Sequence, residues 1–387
     1  MFVRSLRMLL LMLSLTVLGI SMLHAADHTA RVYVGTYTTG DSQGIYTFDL
    51  DLTTGKATEP KLAAELTNPS FLTFDPQHQF LYAVNEVNDF PGSTGKGAGG
   101  VTAFRIDAAT GALTKLNSQL SGGAGPCHLS VDATGKNVLV ANYGGGSVAV
   151  LPVNDDGSLK PASAFIQHAG SSVDAGRQKG PHAHSVNLSA DNKYAFVADL
   201  GLDQVLVYKF NAAQGSLLSN EPPAANVHPG SGPRHFAFHP NGKFAYSNNE
   251  MTLEETVFRY DSVKGVLEPI QYISTWPADA DRKGGSTAET QVHPSGKFLY
   301  VSNRGNGSIA IFQIQGDGTL KAAGHVSSGG KVPRNFSLDP TGHFLLAANQ
   351  DNGVIAIYRI NQETGALTPT GDQLQVPNSV CVRMFIP

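Results

Sequence analysis

Apolar and polar positions fall along the chain in short runs, and one run recurs: a few apolar residues closed by a small polar one. It stands as Val32-Tyr-Val-Gly-Thr36, Leu81-Tyr-Ala-Val-Asn85, Val138-Leu-Val-Ala-Asn142, Ala195-Phe-Val-Ala-Asp199, Ala245-Tyr-Ser-Asn-Asn249, Leu299-Tyr-Val-Ser-Asn303 and Leu345-Leu-Ala-Ala-Asn349. Runs this short and this rich in Val, Tyr and Phe predict strands. Their closing residues are spaced by 49, 57, 57, 50, 54 and 46 positions. That is too long for ankyrin or leucine-rich units and too irregular for a solenoid, but it suits propeller blades.

Each run has similar neighbours. Upstream lies a strand closed by a hairpin turn: Asp75-Pro-Gln-His78, Asp132-Ala-Thr-Gly-Lys136, Ser189-Ala-Asp-Asn-Lys193, His239-Pro-Asn-Gly-Lys243, His293-Pro-Ser-Gly-Lys297 and Asp339-Pro-Thr-Gly-His343. Downstream comes an alternating strand such as 100–106 or 308–314, a turn such as Thr110-Gly-Ala-Leu113 or Thr364-Gly-Ala-Leu367, and a ragged outer strand. The pattern predicts an all-β fold, a seven-bladed propeller with four antiparallel strands per blade. Only six such turns precede the seven runs. The stretch 376–385 resembles the inner strands that start at Pro69 and Pro333, and so is expected to supply the missing strand of the first blade. The ring then closes by pairing of the N- and C-terminal strands, without a free edge.

Composition narrows the class. With 42 Gly, 21 Pro and 15% charged residues the chain is not collagen, coiled coil, disordered tail or disulfide miniprotein. Its 27 basic and 31 acidic residues leave a net charge of −4, with no basic excess to hold nucleic acid. Arg4 and Arg7, an apolar run from Met8 to Ile20 and small residues up to Ala26 predict a secretory signal peptide over 1–25, cut after Ala25 or Ala26. The run is short for a membrane span, and the segment holds no Cys to carry a lipid. A periplasmic or secreted propeller over 26–387 is expected, with no membrane anchor after cleavage. Cys127 and Cys381 fall in different blades at offset positions, which argues against a disulfide. Gly144-Gly-Gly146 is followed by no helix and is not a phosphate loop. The only Trp is Trp276, and Trp-Asp dipeptides are absent, so this is not a WD40 array.

In such a ring the starts of inner strands and the ends of second strands share one face. That face carries the long, individual connections 86–99, 165–182 and 274–287, and function usually lies on such loops. After the recurrent runs stand Tyr37, Glu86, Tyr143, Leu200, Glu250, Arg304 and Gln350. Around the inner-strand starts stand Cys127 with His128, His182 with His184, Arg234 with His235, Glu289, and Arg334 with Asn335. Carboxylates, arginines and histidines converging on one mouth mark a candidate site. The alternative is that they cap strand ends and pair as solvated salt bridges. His182-Ala-His184 has a spacing that metal sites use, but no third ligand stands out, so neither metal nor other cofactor is expected. His239 and His293 replace the turn Asp of other blades and are expected to be structural.

Pro181-His-Ala-His184, Gly232-Pro-Arg-His235, Asn249-Glu250, Ala288-Glu289, Ser302-Asn-Arg-Gly305 and Pro333-Arg-Asn-Phe336 resemble the motifs of the seven-bladed propeller lactonases. That family includes 6-phosphogluconolactonases and the fungal carboxymuconate-cyclising enzymes, and the resemblance covers essentially the whole mature chain. It implies a catalytic His, two Arg and a Glu at His184, Arg234, Arg304 and Glu250. His182, His235, Glu289, Arg334, Glu86, Asp199 and Asn335 are then expected to bind substrate. Hydrolysing a lactone needs a base for water, donors for the carbonyl oxygen and an acid for the ring oxygen. Glu250 is the leading base, with Glu289 and Glu86 behind it. Arg234 and Arg304 would hold the oxyanion, and His184, with His235 as substitute, would be the acid. An exported enzyme would not meet a phosphorylated lactone made in the cytosol, so the expected partner is a small sugar lactone such as glucono-1,5-lactone, acted on by a monomer or homodimer. A 6-phosphogluconolactonase, a carboxymuconate-type cycloisomerase and a non-catalytic binding propeller are the alternatives.

Overall fold

The computed structural model describes residues 28–95 and 97–387. The signal peptide expected over 1–25 lies outside the described residues. Among the described residues twenty-eight strands form seven four-stranded antiparallel sheets. Six sheets are built from four consecutive strands, with inner strands Leu72–Phe74, Pro126–Val131, Ala183–Leu188, Pro233–Phe238, Ser286–Val292 and Pro333–Leu338 for blades 2 to 7. In blade 1 the inner strand is Ser379–Phe385, which pairs antiparallel with Thr29–Thr36. The chain therefore adopts the predicted propeller, closed by its two ends in one blade.

The recurrent runs are the second strands. Phe80–Asn85, Asn137–Asn142, Tyr194–Asp199, Phe244–Asn249 and Phe344–Asn349 are buried at every position, because each sheet lies between two others and both of its faces are covered. This is why they read as continuous apolar runs, whereas outer strands such as Leu113–Leu120 and Leu320–Ser327 are mixed and partly exposed.

Their closing polar residue anchors the chain entering the blade. Asn85, Asn142, Asn303 and Asn349 donate from Nδ2 to the carbonyls of Thr67, Ser121, Thr275 and Ser328 at 2.9, 3.1, 2.7 and 2.9 Å. On the lower face the turn aspartates accept backbone amides, Asp132 from Asn137 at 2.7 Å and Asp339 from Phe344 at 2.6 Å. His239 and His293 take the same place: Nδ1 accepts a turn amide, and Nε2 donates to the next blade's turn, at Gly296 (2.9 Å) and Gly342 (2.8 Å). Four second-strand tyrosines also link neighbours, Tyr33, Tyr82, Tyr246 and Tyr300 donating to Gly111, Gly157, Gly318 and Gly365 at 2.8, 3.1, 3.0 and 2.8 Å. Cys127 and Cys381 are buried and unpaired. No helix among the described residues is long and apolar enough to cross a membrane.

Candidate active site

Five inner strands break register at their upper ends. In blades 3, 4 and 7 one residue has no partner between Pro126 and His128, Ala183 and Ser185, and Pro333 and Asn335. In blades 5 and 6 the break spans Arg234-His235 and Ala288-Glu289. A bulge takes a side chain out of the strict alternation and re-aims it. Here Cys127, His184 and Arg334 turn into a cavity of about 230 Å³ at the upper mouth, lined also by Glu86, Tyr143, Arg177, Glu250 and Arg304.

Glu250 is the electrostatic centre. Its Oε1 lies 2.7 Å from Arg177 Nη2, and its Oε2 lies 2.8 Å from Arg304 Nη2 and 3.2 Å from Arg234 Nε. Burial alone would raise the carboxyl, but Arg304 and Arg234, with His184 and Arg177 adding to them, hold it well below the usual carboxylate range. Arg234 is 2% exposed, and burial beside Arg304 and Arg334 lowers it to about 9, still cationic at neutral pH. Across the cavity Arg334 Nη2 donates to Tyr37 Oη at 2.9 Å, and Tyr37 donates to Glu86 Oε2 at 2.9 Å, which Ser70 Oγ also contacts. Among the described residues no carboxylate forms an ion pair with Arg334. Burial, with Arg234 and His235 nearby, pushes the His184 imidazole well below its ordinary value, so it is neutral at pH 7. Its Nδ1 lies 3.6 Å from Cys127 Sγ.

The structure thus brings five expected residues, Glu86, His184, Glu250, Arg304 and Arg334, to the cavity wall, with Arg234 touching Glu250 from behind. The other five do not line it. His182 stacks on the Tyr143 ring at 4.6 Å and donates from Nδ1 to the Tyr143 carbonyl at 2.9 Å. Asp199 occupies the closing position of its run, fully buried, where it accepts His168 Nδ1 at 2.7 Å and the His182 amide at 2.7 Å. It is the blade-4 version of the anchoring Asn, which is why it faces the entering chain and not the mouth. His235, Glu289 and Asn335 lie behind Arg234, one inside the next.

Arg177, Tyr37, Tyr143 and Cys127 were given no role by the sequence. Arg177 reaches the site from the long connection 165–182, which was expected on this face, but no motif marks it. The carboxylate of Asp174 accepts the amides of Gly176 (2.7 Å) and Arg177 (2.9 Å), and buried Gln178 ties the loop to Asp203 at 2.8 Å. A larger, open cleft of about 730 Å³ between blades 1 and 2 is lined by Glu65, Asp89, Phe90 and Lys115 among others, with none of the mouth's arginines or histidines. Among the described residues no three His, Cys, Asp or Glu side chains converge as metal ligands.

A family model described as "Lactonase, 7-bladed beta-propeller" matches residues 31–384. The 6-phosphogluconolactonase of Bacillus subtilis is 40% identical over 91% of this chain and 97% of its own length. That of Formosa agariphila is 37% identical over 92% and 99%. The solved structure of the Pseudomonas aeruginosa periplasmic gluconolactonase PpgL superposes with a TM-score of 0.85 at 33% identity, covering 93% of this chain and 100% of that chain.

Proposed function

The chain belongs to the seven-bladed β-propeller lactonase family and is a hydrolase of the lactone ester bond; from that premise we propose that it is an exported enzyme opening an unphosphorylated sugar lactone, glucono-1,5-lactone or a related aldonolactone, to the aldonic acid. The basic N-terminal segment with its apolar run supports export, as does the likeness to a periplasmic gluconolactonase. One observation carries the catalytic reading: a neutral histidine and a carboxylate held by three guanidinium groups share one small cavity.

That observation redistributes the expected roles. A base needs a free lone pair as well as proton affinity. Both groups are held low and start unprotonated, but both Glu250 oxygens are taken up by guanidinium groups, whereas His184 engages only Nδ1, beside Cys127. The Cys127 thiol, kept protonated by burial, donates to the His184 carbonyl at 3.3 Å. The imidazole proton then sits on Nδ1 toward sulfur, and the Nε2 lone pair is left for water. His184 takes a proton as the water oxygen bonds to the carbonyl carbon. Arg304 and Arg334 hold the carbonyl oxygen as it gains charge. The imidazolium returns the proton to the ring oxygen as the carbon–oxygen bond breaks. Glu250 sets the three guanidinium groups and accepts hydrogen bonds from sugar hydroxyls.

A second reading rests on charge. Four arginines, Arg177, Arg234, Arg304 and Arg334, stand against two cavity carboxylates, Glu86 and Glu250, which favours an anionic substrate such as a phosphorylated lactone or a polycarboxylate. With the purified mature chain, proton release corrected for spontaneous opening for glucono-1,5-lactone and its 6-phosphate, beside proton uptake for 3-carboxymuconate, whose cyclisation consumes a proton, separates these. Turnover of the neutral lactone at least as fast as the phosphate is expected. Turnover confined to the phosphate or the muconate would transfer the assignment to that substrate, and none with any lactone would leave a binding propeller.

A further inference from the structure

A buried polar chain runs from the mouth across the channel: Glu250, Arg234, His235, Glu289, Asn335. All are at most 6% exposed. Arg234 Nη1 lies 3.2 Å from His235 Nε2, and His235 Nδ1 lies 3.1 Å from Glu289 Oε1. A guanidinium can only donate, so Nε2 must carry a lone pair and the single imidazole proton must sit on Nδ1, directed at Glu289. The Glu289 carboxylate receives two further donors, the Thr290 amide on Oε1 at 3.1 Å and Asn335 Nδ2 on Oε2. Asn335 cannot flip, because its Oδ1 already accepts the Val382 amide at 2.8 Å and is within 3.5 Å of Arg383 Nη1.

We propose that Glu289 is a positioning residue for the lactonase reaction: through the His235 tautomer it fixes Arg234, and so orients the arginine behind Glu250. The inference rests on the mouth being the lactonase site. An ionised carboxylate has no proton to set against these three donors, whereas the acid places an O–H against one of them. With the proton on Oε1, His235 loses its acceptor, and a proton on Nε2 would set donor against donor at Arg234. The groups facing Glu289 are His235 and Arg234 from the inner strand of blade 5, Glu255 from that blade's third strand, Asn335 from blade 7, and Arg383 and the buried Cys381 thiol from blade 1. Burial raises its carboxyl to about 7 against the opposing pull of Arg383 and Arg234, so the two states exchange in the neutral range.

The test compares kcat and KM from about pH 5 to 8.5 for the wild type, Glu289→Gln and Asn335→Ser, together with the His235 tautomer read from nitrogen shifts in histidine-labelled protein. The wild type should lose about ten-fold in kcat as pH falls through the Glu289 step, with KM moving less than about three-fold. Glu289→Gln, which cannot ionise, should lack the step and stay on the lower plateau. Asn335→Ser removes a donor from the ionised carboxylate and should move the step up by about one pH unit. A step unchanged in Glu289→Gln, or unmoved in Asn335→Ser, overturns the proposal, and the second variant decides alone if the first does not fold. If turnover depends on His184 while both variants keep the wild-type profile, the lactonase reading stands and this inference falls. If no lactone is turned over, the tautomer still decides: His235 should carry its proton on Nδ1 above the step and lose that preference in Glu289→Gln, and an Nε2 proton in the wild type refutes it.

Discussion

At Glu250 two opposing effects meet, burial that favours the neutral acid and three guanidinium groups that favour the anion, and the anion wins. The neighbouring His184 shows the reverse balance: burial and surrounding cations both disfavour its charged form. The working form of His184 is neutral, and its value is lowered, so beneath the step assigned to Glu289 the remaining activity should persist below the ordinary histidine value of about 6.5 and fall again only as pH drops through the lowered one. His184→Asn should cost about 10²- to 10⁴-fold in kcat and remove this low limb. Glu250→Gln should raise KM and lower kcat yet keep the limb, shifted to lower pH, because Glu250 is the negative charge that supports protonation of His184. Rate profiles of the two variants check this; loss of the limb in Glu250→Gln would restore Glu250 as the base. At this scale the sequence shows which residues are chemically capable, and their position after each recurrent run marks Glu86, Glu250 and Arg304. It does not show Arg177, because a loop residue carries no periodicity, and a turn built by Asp174 is found only once the loop is folded.

Strands and turns were legible because each obeys local rules: a doubly covered strand reads apolar throughout, and a turn needs Asp, Pro or Gly. The bulges were not. Strict alternation puts neighbours such as Cys127 and His128 on opposite faces, and a one-residue slip that re-aims them leaves no mark in composition. Asp199 misled for a related reason, since a carboxylate at the closing position looks functional until His168 is found beside it. Contacts between blades were equally hidden, although the recurring Tyr of the second strand is their trace. Tyr246 donates to Gly318 of the next blade, fully buried and on the face away from the mouth. Tyr246→Phe leaves that carbonyl without its partner and should lower stability by about 1–2 kcal/mol. Denaturant unfolding should show the loss while KM for the lactone is unchanged; an altered KM would mean that the blade contacts reach the site.

For the whole molecule, the mismatch of six turns and seven runs already required one blade to be shared, and closure follows from it. The last strand does more than finish a sheet. Val380, Cys381, Val382 and Phe385 are each at most 5% exposed, and the Val382 amide orients Asn335 in the network behind Arg234. Burying an apolar side chain contributes about 1.5–3 kcal/mol, so four such residues approach roughly 6–12 kcal/mol, the size of a whole domain's net stability. Removing 379–387 would also expose the paired edge of Thr29–Thr36 from Arg31 to Thr36. The truncated chain should therefore lose its cooperative unfolding transition, whereas trimming only Ile386 and Pro387, beyond the strand, should leave it nearly intact. Supplying a peptide of residues 376–387 should restore both the transition and lactone turnover, because the missing strand has one register and one partner. A truncated chain that still melted cooperatively would show that six complete blades hold the ring without this closure.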